Sequence, residues 1–78
     1  FSFYPNPITS GFLNIQMNKN YQRIIVKIMD DKGSILMQQS YLNTQQLGFL
    51  LPQNLKGLCL LEIHTDKDWE AQKILINN

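Results

Sequence analysis

An all-β fold, an antiparallel sandwich of seven short strands, is predicted for these 78 residues by three observations. Apolar residues recur at a spacing of two more often than of three or four, Gly, Pro, Asn and Asp fall between the apolar runs, and the runs repeat every eight to twelve residues or so, as in antiparallel sandwiches. Phe1 and Phe3 alternate with Ser2 and Tyr4 in a first strand, which Pro5-Asn6-Pro7 ends because two prolines fix φ and remove two donors. Residues 8–11 turn. Leu13, Ile15 and Met17 alternate with Asn14, Gln16 and Asn18, giving a strand with one dry and one wet face that Asn18-Lys19-Asn20 closes. Residues 22–29 are the most β-branched stretch and read as a central strand, with Ile24, Val26 and Ile28 on one face. Asp30-Asp31-Lys32-Gly33 supplies the acidic-then-glycine chemistry of a tight hairpin, after which residues 35–41 return antiparallel. A shorter strand, 46–51, ends at Pro52. Residues 53–56 offer the only helical turn, with Leu55 plugging the base of the core, and it is too short to be more. Gly57 opens a strand over 58–65, Asp66-Lys67-Asp68 reverses it, and residues 69–76 form the last strand.

Composition narrows the function classes. The length suits one small domain. At 44% hydrophobic and 17% charged, the chain is too apolar and too nearly neutral for a disordered tail. The net charge of +1 is spread over scattered cations, which gives no footprint for nucleic acid. The lone Cys59 allows no internal disulfide and no cysteine-based zinc site. Apolar runs are far short of the ~20 residues of a membrane-spanning helix. The start at Phe1, without an initiator Met or a signal segment, suggests a module taken from a longer polypeptide.

Individual residues offer little catalytic chemistry. His64 is the single histidine and has neither a second His nor a nearby Cys, so it reads as a strand-surface residue. Asp66 and Asp68 flank a turn and fall short of the six or so oxygens a calcium ion wants. Asp30 and Asp31 are adjacent and point apart, unlike a working carboxylate pair. Trp69, Tyr21 and Tyr41 are spread over three segments, as packing aromatics are, although exposed aromatics also form carbohydrate platforms. Cys59, among Leu58, Leu60 and Leu61, is expected to be a buried and inert thiol.

Three motifs in order carry a resemblance: Tyr4-Pro5-Asn6-Pro7 with Ser10-Gly11, then Asp30-x-x-Gly33, then Leu55-x-Gly57, followed by the terminal Lys73-Ile74-Leu75-Ile76-Asn77. Together they resemble the type A C-terminal sorting domain of the type IX (Por) secretion system of Bacteroidetes, over essentially the whole chain. That resemblance implies a seven-stranded immunoglobulin-like β-sandwich that catalyses nothing, binds no cofactor, metal or nucleic acid, and makes 1–78 a single sorting domain behind a secreted N-terminal cargo domain. It implies transit through the periplasm, passage through an outer-membrane translocon with its shuttle components, and a destination at the cell surface or in the medium. Removal by a cell-surface signal peptidase, during anchoring to lipopolysaccharide or release, is implied as well. The family motif maps to Pro5, Asn6, Pro7, Gly11, Asp30, Gly33, Leu55 and Gly57. The sequence departs from it at Cys59, where the family usually has an aromatic, and in ending on Asn77-Asn78. Pro5 and Pro7 would hold an extended entry segment, whereas Asp30, bonding its own backbone two residues on, and a left-handed Gly33 read as architectural. Lys73, Ile74, Leu75 and Ile76 are the candidates for translocon recognition, because an edge strand is readable by strand addition; Ile74 and Ile76 would face the core and set the register that presents Lys73 and Leu75 outward. The competing reading is an accessory binding module of the sandwich type, carbohydrate-binding or fibronectin-like, resting on fold analogy alone.

Overall fold

The computed structural model describes residues 1–4, 11–53 and 55–77. It is all-β and antiparallel: β1 (Ser2–Tyr4), β2 (Phe12–Met29), β3 (Ile35–Leu50), β4 (Gly57–Thr65) and β5 (Trp69–Ile76). They form one sheet in the order β1-β2-β4-β5, with β3 on the other side of β2, and the sheet curls into a half-barrel.

Five strands stand where the periodicity predicts seven, because two predicted breaks are corners through which the ladder runs on. Gln16 pairs Gln46 and Tyr21 pairs Thr44, so β2 advances five residues while β3 advances two, and β2 carries three extra residues at Asn18-Lys19-Asn20. An odd insertion changes which alternate residues face inward. That is why Leu13, Ile15 and Met17 are buried before the corner and Ile24, Val26 and Ile28 after it. On β3 the corner falls at Asn43, whose φ of 51° lies in the left-handed region that Asn tolerates better than most residues. The Tyr21 hydroxyl donates to Asn18 Oδ1 at 2.9 Å across the β2 corner. Polar, Asn-rich segments that resemble turns therefore fuse 13–17 with 22–29, and 35–41 with 46–51.

The corner lets one strand serve two neighbourhoods. Before it, β2 pairs β1 through Asn14–Gln16; after it, Ile24–Met29 pair β4. Both halves, with Leu47, Phe49, Leu61, Ile63, Ile74 and Ile76, line a single core. Leu55, 5% exposed, plugs that core from a turn in which its N–H donates to the Pro52 carbonyl at 3.1 Å; of the predicted helical turn, Asn54 lies outside the described residues. So do Pro5, Asn6, Pro7 and Ser10 of the first motif and most of the turn expected at 8–11.

Candidate functional site

Turn chemistry fixes the motif residues first. Asp30 Oδ1 accepts from the backbone N–H of both Lys32 and Ser34 at 2.9 Å, and Gly33 N–H donates to the Asp30 carbonyl at 3.2 Å. Gly33 has φ 85° and Gly57 φ 87°, and a β-carbon at either would meet open space, so backbone conformation alone makes glycine the residue of choice there. Gly11, at φ 76°, presents its carbonyl to Leu51 N–H at 2.7 Å and ties the start of β2 to the end of β3.

The register then gathers separate motifs at one end of the sheet. Gly57 pairs Ile76, Leu58 pairs Leu75, and Met29, Leu60 and Lys73 lie in one row across β2, β4 and β5. Met29, Leu58 and Leu60 line a depression of about 440 Å³ together with Asp30, Asp31, Gly33, Cys59 and Lys73. Its lining thus combines apolar residues with the acidic Asp30 and Asp31 and the basic Lys73. The hairpin after β2 and the terminal strand, far apart in the sequence, share this surface. Leu58 and Leu60 are not singled out by motif reasoning; the signal that finds them is that both faces of 58–61 are apolar, so one apolar face is turned out.

Strand β5 alternates cleanly where it matters. Ile74 and Ile76 are each 1% exposed, whereas Leu75 is 45% exposed and Lys73 is open to solvent. Among the described residues β5 pairs only β4. Its other edge looks across a cleft of about 520 Å³, lined by Phe1, Ser2, Phe3, Gln72 and Lys73, toward β1. Gln72 sits on the inward-facing register of β5 yet stays exposed, because it borders this open seam.

The other residues weighed from sequence take local roles. His64 is half-exposed on the outer face, with Nε2 2.7 Å from Glu62 Oε1 and its ring stacked on Trp69 at 5.7 Å. Thr65 Oγ1 accepts from Lys67 N–H and Asp68 N–H, so the 66–68 segment is a hydrogen-bonded reversal. Tyr21 and Tyr41 are half-buried against the core and Trp69 is exposed, so the three aromatics form no shared platform. Cys59 is buried, and its thiol is pushed up from the ordinary value by loss of solvation and then by the negative charges of Asp30 and Asp31. Burial also raises the Tyr41 phenol.

The described residues thus form an all-β domain with these turn motifs and a terminal strand paired on one side. A family model described as the secretion system C-terminal sorting domain matches residues 2–77. The chain belongs to that family, the C-terminal sorting domains of type IX secretion. No curated protein and no solved structure matches the chain.

Proposed function

We propose that this domain is the non-catalytic signal by which a cargo domain on its N-terminal side is carried through the outer-membrane translocon of type IX secretion. The observation that carries the reading is the family match over residues 2–77. Within it, the outer face of β5, with Lys73 and Leu75 beside the Asp30-to-Gly33 hairpin, is the surface presented to the translocon or its shuttle components. Ile74 and Ile76 fix the register of that surface. Solvent-facing alternation on an edge strand supports the assignment, since strand addition takes affinity from main-chain bonds and specificity from alternate side chains. In this reading Pro5, Asn6 and Pro7 belong to the entry segment from the cargo, and a cell-surface peptidase removes the domain after passage, leaving the cargo at the surface or in the medium.

The test fuses residues 1–78 behind a signal peptide and a fluorescent reporter, in a type IX-competent bacterium and in a translocon-deficient strain. Reporter at the surface or in the medium of the competent strain alone is the expected result. Retention in the periplasm of both strains refutes the proposal.

A further inference from the structure

The long outer edge of β3 differs from every other long strand in one respect. β2 carries Lys19, Arg23 and Lys27, β4 carries Glu62, and β5 carries Glu70 and Lys73, but the sixteen residues of β3 include no Asp, Glu, Lys, Arg or Pro. Edge strands present unpaired N–H and C=O groups, and natural proteins usually block them with charge, proline or a bulge. Here the irregularities lie only at the ends of the central stretch. One extra residue, Leu36, falls between the pairs Ile28–Met37 and Met29–Ile35, the corner falls at Asn43, and between them the pairing runs unbroken from Met37 to Leu42. Among the described residues, β3 has β2 as its only strand neighbour.

We propose that this edge pairs with the same edge of a second copy, antiparallel, about a two-fold axis at Gln39 perpendicular to the sheet. In that register each residue faces the one whose number completes 78. Gln38 meets Ser40, an amide opposite a hydroxyl. Met37 meets Tyr41 on the inward side, where both already pack against the core. Leu36 and Leu42, 38% and 70% exposed, meet each other at both ends of the pairing, so each copy covers the other's exposed leucines. The axis gives neutrality a reason: it sets Gln39 against its own counterpart and brings two copies of one edge together, so that a net charge on the edge would repel its copy, and like charges directly opposite on a sheet are destabilising. An uncharged edge suits a second copy, whereas a foreign strand gives neutrality no such reason. Isologous closure also limits the assembly to a dimer, because the pairing uses up the edge that forms it.

The pairing stands apart from the sorting role and is tested without secretion. Sedimentation of residues 1–78 over a concentration series is expected to show a monomer–dimer equilibrium. Gln39→Lys and Gln39→Asp, at an exposed position, each place like charges across the axis and are expected to raise the dimer dissociation constant roughly fivefold or more, with circular dichroism unchanged. Mixing the two variants sets opposite charges across the axis and restores a heterodimer. A wild type that stays monomeric at every concentration overturns the proposal, even if the edge then accepts a strand from another protein. So does a dimer that both single variants form as tightly as the wild type.

Discussion

The two kinds of residue on β5 separate by the cost of removing them. Ile74 is 1% exposed and sits in the core, so Ile74→Ala leaves a cavity and is expected to cost about 2–5 kcal/mol. Leu75, next along the chain, is 45% exposed. Full burial of a leucine is worth about 1.5–3 kcal/mol and little more than half of this one is covered, so Leu75→Ala is expected to cost about 1 kcal/mol. Urea unfolding followed by circular dichroism reads the difference directly. With a slope of about 1 kcal/mol per molar urea for so small a domain, the midpoint falls by about 2 M or more in the first variant and about 1 M in the second. The same variants carry the functional claim, because Leu75→Ser with Lys73→Glu leaves the core in place and is expected to lower export of the fused reporter while the isolated domain stays folded. Equal losses of stability at 74 and 75 would overturn the register argument. Undiminished export of the folded double variant would remove β5's outer face from recognition.

Gly33→Ala and Gly57→Ala meet no steric obstacle but must hold an L-residue at positive φ, and each is expected to lose about 1–2 kcal/mol, which thermal or urea unfolding measures. Leu55→Ala removes the plug beneath the core and is expected to cost about 2–5 kcal/mol, read as a fall in the urea midpoint. The raised Cys59 thiol gives a pH dependence: above about pH 8.5 the unfolded chain loses the thiol proton while the folded one keeps it, so stability falls as pH rises, until the folded thiol also ionises. Asp30→Asn removes one of the charges that raise it, and is expected to bring the folded value closer to the unfolded one and reduce that fall, visible in unfolding curves taken between pH 8 and 9.5.

Much of the fold was legible from alternation alone. The inward sets of β2 and β5, Leu13 to Met17, Ile24 to Ile28 and Ile74 with Ile76, follow from period-two spacing, since a side chain on a pleated strand has only two directions. Composition hid the connectivity. Asn18-Lys19-Asn20 and Asn43 have the chemistry of turns, and a corner uses the same chemistry, because both need residues that tolerate unusual backbone angles without a buried partner. The one available clue was the change from odd to even apolar positions between Met17 and Ile24, which a reversal does not require and a bulged, continuing strand with an odd insertion does. The depression beside β5 was illegible for a different reason: Asp30, Leu58 and Lys73 are brought together only by the order β2-β4-β5, which local patterning does not specify.

That topology bears on how a sorting signal of this kind has to be dissected. Ile74 and Ile76 close the core against residues of β2 and β4, and the inner register of β5 faces Phe1 and Phe3 across the open seam. Deleting residues 74–78 therefore strips two core side chains at the moment it removes the edge, and lost export would follow from unfolding as readily as from lost recognition. A truncation that abolishes secretion says that the domain must fold; only outward-facing substitutions that leave the urea midpoint nearly unmoved say what its partner reads. Lys73 and Leu75 are the positions on β5 where the two requirements come apart, because their backbone holds the ladder to Leu60 and Leu58 whatever side chain they carry.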